Sequence, residues 1–164
     1  AIVPCNGIGK QTVRVQVESN GAWTNTVDLP VFASYPSLFT ISNSGRGPAA
    51  ALNFENGQYN TNPTPRGGIV LLFGNGEGQT TPACKDGEIV ATTEPFPRPL
   101  LPVTVEVGGK PAALTYVGSA PGLVRGVFQI NMFLSPDTPI GDAVPVVVKI
   151  GDRTSQPGVT LRVR

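Results

Sequence analysis

Cys5 and Cys84 are the only thiols in a chain of 164 residues that contains no histidine. Two sulfurs so far apart are too few for a zinc site and lack the spacing of a redox pair, which leaves a disulfide within the chain, a disulfide between chains, or two free thiols. The missing histidine removes the usual general base, the serine–histidine–aspartate arrangement and most transition-metal sites. Carboxylates are the remaining acid–base candidates. Asp86, Glu88 and Glu94 lie near one another in sequence and Glu77 stands in "FGNGEGQ", all on polar, loop-rich segments that predict solvated side chains rather than a catalytic pair. "GNGEG" looks like a phosphate-binding loop, but no Lys-Ser/Thr and no helix follow it, so the anion cradle fails. "NFENGQYN" offers Asn53, Glu55, Asn56 and Asn60 as oxygen ligands, with too few carboxylates for a calcium loop; it predicts a β-hairpin with Asn56-Gly57 at a type I′ turn. Trp23, Tyr35, Tyr59 and Tyr116 could stack on a sugar, although they are scattered among separate strands, where core or edge packing is the default. No catalytic residue, cofactor or metal is expected.

The elements that carry these residues have an apolar period of two. Val13, Val15 and Val17 alternate with Arg14, Gln16 and Glu18, which predicts a half-buried strand. The same alternation returns at Val103, Val105 and Val107, at Phe128, Ile130, Met132 and Leu134, and at Val144, Val146, Val148 and Ile150. Ile69 to Phe73 is continuously apolar, as in a strand covered on both faces. Turn signals such as Ser19-Asn20-Gly21, Gly108-Gly109 and Gly151-Asp152 separate the runs. The stretch Thr93 to Pro102 holds four prolines and reads as an extended connector outside any ladder. No window supports an amphipathic helix. Short strands at this spacing predict an antiparallel β-sandwich, with Ile69, Leu71, Val105, Val107, Leu114, Phe128, Ile130, Val146 and Val148 in its core.

Composition narrows the partners. Charged residues make up 14% of the chain and the formal net charge is +1, so nothing points to nucleic acid or an anionic membrane. No apolar run approaches the roughly 20 residues of a membrane helix, so membrane insertion is not expected. Gly and Pro number 20 and 17 without a collagen period, and apolar runs persist between them, which argues for a folded domain. Scarce charge, abundant Thr, Asn, Gly and Pro, and the cysteine pair together point to an exported protein, secreted or on the cell surface.

The chain also repeats itself. Pro4, Ile8-Gly9, Val27, Leu29 and Val31 match Pro136, Ile140-Gly141, Val159, Leu161 and Val163, with a one-residue slip around the hairpin turns. The second copy is preceded by "GVFQIN", a piece the first copy lacks.

Three separated motifs in order, the apolar strand into "GNGEG", the run "VTVEVGGKPAALTYVGSAPGLVRGVFQIN" and the hairpin "ALNFENGQYN", resemble the Solibacter-type C-terminal domain. That is a module of unknown function at the ends of large secreted acidobacterial proteins. The resemblance spans Ala33 to Val163 and, more loosely, residues 1–31 as the tail of a preceding unit. It implies an all-β fold, an immunoglobulin-like antiparallel β-sandwich over residues 32–164 with an additional N-terminal β segment over residues 1–31. It implies no activity. Cys5 and Cys84 depart from the family pattern.

The expected function is therefore that of a non-enzymatic extracellular structural or adhesive module. The segment 1–31 reads as closing strands without their sandwich, and a lone hairpin is marginal in water. Val13, Val15 and Val17 are the candidate interface for β-strand addition, giving a head-to-tail oligomer or filament. The expected partners are other copies of the chain or adjoining domains of a larger secreted protein. The alternative is a carbohydrate-binding accessory module of a secreted enzyme, with a polysaccharide as partner.

Overall fold

Alternating valines fold here as alternation demands, into strands with one face turned inward. The structure, a computed structural model, describes residues 9–164. The first strands are β1 (Thr12–Val15), β2 (Glu18–Ser19), β3 (Ala22–Trp23) and β4 (Val27–Pro30). There follow β5 (Ser37–Leu38), β6 (Gly47–Pro48), β7 (Ala51–Glu55), β8 (Gln58–Asn60) and β9 (Ile69–Asn75). The middle of the chain holds β10 (Thr80–Thr81), β11 (Arg98–Pro99), β12 (Val103–Val107), β13 (Lys110–Pro111) and β14 (Ala113–Ser119). The last strands are β15 (Val127–Phe133), β16 (Gly141–Ile150), β17 (Arg153–Thr154) and β18 (Val159–Val163).

Two large sheets make a sandwich-like, all-β body. One runs β13-β12-β16-β18-β6 with β17 attached to β16, and the other runs β14-β15-β9-β7-β8 with β5 attached to β9. All pairings are antiparallel except β18 with β6. The core lies between the sheets. Val105, Val107, Val144, Val146, Val148, Ile150, Val159, Leu161 and Val163 come from the first, and Leu38, Val70, Leu72, Phe128, Ile130 and Met132 from the second. Burial of each such side chain contributes about 1.5–3 kcal/mol. A side-chain amide ties the layers at one end: the Leu38 N–H donates to Gln156 Oε1 at 2.9 Å, and Gln156 Nε2 donates to the Leu38 carbonyl at 2.7 Å.

The hairpin at Asn56-Gly57 forms as its sequence predicts. Both residues have positive φ, 53° and 77°, and Glu55 pairs with Gln58 across the turn. Asparagine and glycine are the residues that enter this region at least cost, and a type I′ turn needs it at both positions.

Three expectations need correction. In β9 the inward side chains are Val70 and Leu72, whereas Leu71 is buried on the opposite face and Ile69 is half-buried. The register sets this, because Leu72 sits opposite core Ile130 and Leu71 opposite Asn131. A run without polar residues carries no parity signal. Leu114 lies at the margin of the core rather than within it. The proline-rich connector contributes two ladder residues after all: Pro99 faces Thr80 and Arg98 faces Thr81, with the Leu100 N–H donating to the Gln79 carbonyl at 2.9 Å.

Candidate functional site

The segment before the sandwich is a two-stranded antiparallel ribbon. Val13 pairs with Leu29 and Val15 with Val27 in the β1–β4 ladder, while β2 and β3 form the tip. These ladders are separate from both large sheets. Arg14 and Asp28, opposite each other on the other face, form an exposed ion pair at 2.9 Å.

Its turn is built like the one that closes β16. The Val17 N–H donates to Thr24 Oγ1 at 3.1 Å and the Thr24 N–H donates to the Val17 carbonyl at 2.9 Å. In the sandwich, the Val148 N–H donates to Ser155 Oγ at 3.1 Å and the Ser155 N–H donates to the Val148 carbonyl at 2.7 Å. Beyond these clamps Val13 opposite Leu29 corresponds to Val144 opposite Leu161. The sequence repeat is thus also a repeat of hydrogen bonding, and the one-residue slip falls between the clamp and the returning strand.

The two copies differ in what covers them. Val148 is fully buried, whereas Val17 is 56% exposed. Val15, Trp23, Val27 and Leu29 are exposed as well, and only Val13 is partly covered. The predicted half-buried strand is therefore mostly open among the described residues. Val13, Val15 and Val17 stand on a surface able to meet another sheet.

The joint between ribbon and sandwich is short. The Arg153 guanidinium lies 4.2 Å from the Phe32 ring centroid, Phe32 stacks on Tyr35 at 5.4 Å, and Ser34 Oγ donates to the Ile150 carbonyl at 2.7 Å. The chain then passes so close to Gly76 that a Cβ there would fall 1.9 Å from the Tyr35 carbonyl oxygen, and with φ at +84° only glycine fits.

Gly76 introduces Glu77, which the sequence places on a solvated loop and the structure buries to 4% exposure. Its Oε1 accepts a hydrogen bond from Ser119 Oγ at 2.8 Å; its Oε2 has no hydrogen-bond partner among the described residues. Arg125, also buried, donates from Nη1 to Ser119 Oγ at 3.3 Å and from Nη2 to Thr80 Oγ1 and the Pro82 carbonyl at 3.1 and 3.0 Å. Its Nε lies 3.5 Å from a Glu88 carboxylate oxygen. Burial raises the Glu77 pKa to about 7, against the opposing pull of the Ser119 hydrogen bond and the Arg125 charge. Sequence reasoning missed Arg125 altogether. The one hint is a lone charge between apolar neighbours in "GLVRGVF".

The other candidates are dispersed. Glu94 binds Arg98 at the surface, and Glu55 binds Arg164 rather than joining Asn53, Asn56 and Asn60 around a cation. Among the described residues no group of three acidic or thiol side chains converges. Tyr35, Tyr59 and Tyr116 each contact a different phenylalanine, Phe32, Phe54 and Phe96, so with Trp23 on the ribbon they make no single platform. Cys84 is half-buried between β10 and β11 and is not a free thiol. Cys5 lies outside the described residues. No family model, curated protein or solved structure matches the chain.

Proposed function

We propose that the protein is a non-enzymatic, extracellular structural module whose N-terminal ribbon joins neighbouring copies head to tail by β-strand addition. The observation that carries this reading is the ribbon's apolar face, built with the same clamp and register as β16–β18 yet exposed. An open ribbon edge and an open valine face both gain from a partner strand, which pairs the ladder groups and removes apolar area from water. The acceptor in this reading is the Leu114–Tyr116 end of β14, beside a groove of about 340 Å³ lined by Arg98, Pro99, Leu101, Val103, Leu114 and Tyr116. The other end of β14 is covered by Pro97 and Arg98, which bond Ser119 and Val117. Donor and acceptor differ, so the contact is heterologous and can propagate. The immunoglobulin-like character of the sandwich and its likeness to the Solibacter-type C-terminal domain belong to the same reading, as does a secreted or cell-surface location.

Size-exclusion chromatography with light scattering tests it. The full chain is expected to form concentration-dependent oligomers, and deletion of residues 1–18 to leave a folded monomer. Val15→Asp with Val17→Asp should weaken assembly at least tenfold without altering the melting of the sandwich, since both side chains are exposed. A full chain that stays monomeric at high concentration, or a truncated chain that assembles equally well, refutes the proposal. Specific retention on insoluble polysaccharide, lost in Trp23→Ala or Tyr59→Ala, would replace it with the carbohydrate-binding alternative.

A further inference from the structure

The cluster of Glu77, Ser119 and Arg125 is placed to govern the loop that contains Cys84. Arg125 holds that loop by three routes: its Nη2 binds the Pro82 carbonyl, its Nε faces Glu88, and its own N–H donates to the Glu88 carbonyl at 2.8 Å. The same loop is fastened downstream, where the Val90 N–H donates to the Leu123 carbonyl and the Gly122 N–H to the Val90 carbonyl, at 2.8 and 2.9 Å. Its upstream end is Thr80, whose hydroxyl receives Arg125 and donates to the Pro82 carbonyl. Glu77 sits beside this arrangement with one oxygen bound to Ser119 and the other without a hydrogen-bond partner among the described residues.

We propose that Glu77 is a proton-operated latch: with its carboxyl protonated the loop from Gln79 to Val90 stays closed over Arg125, and with the carboxylate ionised the loop opens to let water reach the charge. The geometry supplies the reason. The ionised carboxylate has one donor here, Ser119, and is otherwise cut off from water, whereas the protonated acid leaves only its O–H unsatisfied, which costs less than a desolvated charge. Arg125 compensates in part, but its guanidinium is already shared among Ser119, Thr80, the Pro82 carbonyl and Glu88. The nearest escape from an unsolvated charge is local opening of the loop, which leaves the core between the sheets untouched.

The sign follows from linkage. The closed form binds the Glu77 proton more tightly than the open form, because burial lifts the pKa from 4.5 to about 7. Closing is thus favoured at low pH, weakens by up to about tenfold per unit between those two values, and levels off above the higher. Besides Arg125, which faces Glu77 from the β14–β15 turn, the charged or titratable groups next to the cluster are Glu88 from the loop and Tyr116 from β14, with Glu94 and Arg98 beyond Tyr116; Lys85 and Asp86 belong to the loop by sequence. The Tyr116 pKa is raised from 10.0, chiefly by burial, so the phenol keeps its proton throughout this range.

Hydrogen–deuterium exchange of the full chain at pH 5 and pH 8, corrected for intrinsic rates, reads the latch. Protection at Val90, Gly122 and Arg125 is expected to fall by about 10- to 100-fold on going to pH 8, while strands β16 and β18 change little. In Glu77→Gln that pH dependence should vanish, since the amide cannot ionise, and the groups that remain set the background. Equal pH dependence in wild type and Glu77→Gln overturns the proposal, as does a change spread evenly over the sandwich. Carbon-13 NMR titration of the wild-type Glu77 carboxyl decides the matter if the variant fails to fold. A carboxyl midpoint near 7, with the loss of loop protection levelling off above it, supports the latch, and a midpoint in the ordinary glutamate range overturns it.

Discussion

Replacing Ile130 by aspartate is expected to unfold the protein at room temperature. Ile130 is fully buried on β15, opposite Leu72 and beside Val117 across the neighbouring pair, with both neighbours packed in or against the same core. Losing the isoleucine side chain alone costs about 2–5 kcal/mol. The carboxyl adds a polar group with no partner in an apolar layer, and either form of it is costly: the ion is desolvated, and the neutral acid lacks an acceptor. Together these approach the 5–15 kcal/mol that holds an ordinary domain folded. Circular dichroism and denaturant titration read the result. Leu71→Asp, on the other face of the adjoining strand, should cost less, and Val15→Asp on the ribbon almost nothing. Equal losses at all three positions would contradict the assignment of faces.

Reduction of a Cys5–Cys84 bridge is expected to lower stability by about 4–5 kcal/mol, the chain-entropy value for a closed loop of roughly 80 residues. Cys84 sits in the loop gripped by Arg125, and the ribbon leaves the sandwich at Phe32 and Ser34, held there by Arg153 and the Ile150 carbonyl. A bridge to Cys5 would fasten the ribbon at a second place. Denaturant melts with and without reductant measure the loss, and mass spectrometry of non-reduced peptides identifies the pair. Two alkylatable thiols in fresh protein would end the idea. A dimer-sized species on a non-reducing gel would instead assign the bond to a contact between chains, whose contribution then depends on concentration.

How much of this was legible in the sequence depended on whether a residue's neighbours in the chain are also its neighbours in space. Val144, Val146, Val148 and Ile150 alternate with polar or outward residues, so their burial could be read directly. The parity of β9 could not, since five apolar residues in succession fit either face, and only pairing with β15 decides between Leu71 and Leu72. The Asn56-Gly57 turn was readable because its chemistry is local. Glu77 was not, because Ser119 and Arg125, which surround it, are more than 40 residues away in sequence. The repeat between the ribbon and β16–β18 was visible as spaced valines, but the shared clamp of the Thr24 and Ser155 hydroxyls emerged only from the folded turns.

The position of β18 has a consequence for how the protein is made. Its residues lie between β16 and β6, Val159 opposite Gly47, and Val163 bridges to Thr64, so on one flank β18 meets segments translated about a hundred residues earlier and on the other the strand just before it. Val159, Leu161 and Val163 supply a central part of the core. A nascent chain that has emerged only as far as β16 therefore presents β16 with one side unpaired and a gap in the apolar layer. The sandwich closes after the ribosome has released β18, and until then a chaperone or another nascent chain competes for that side. Ribosome-arrested chains should become protease-resistant only once Val163 clears the exit tunnel.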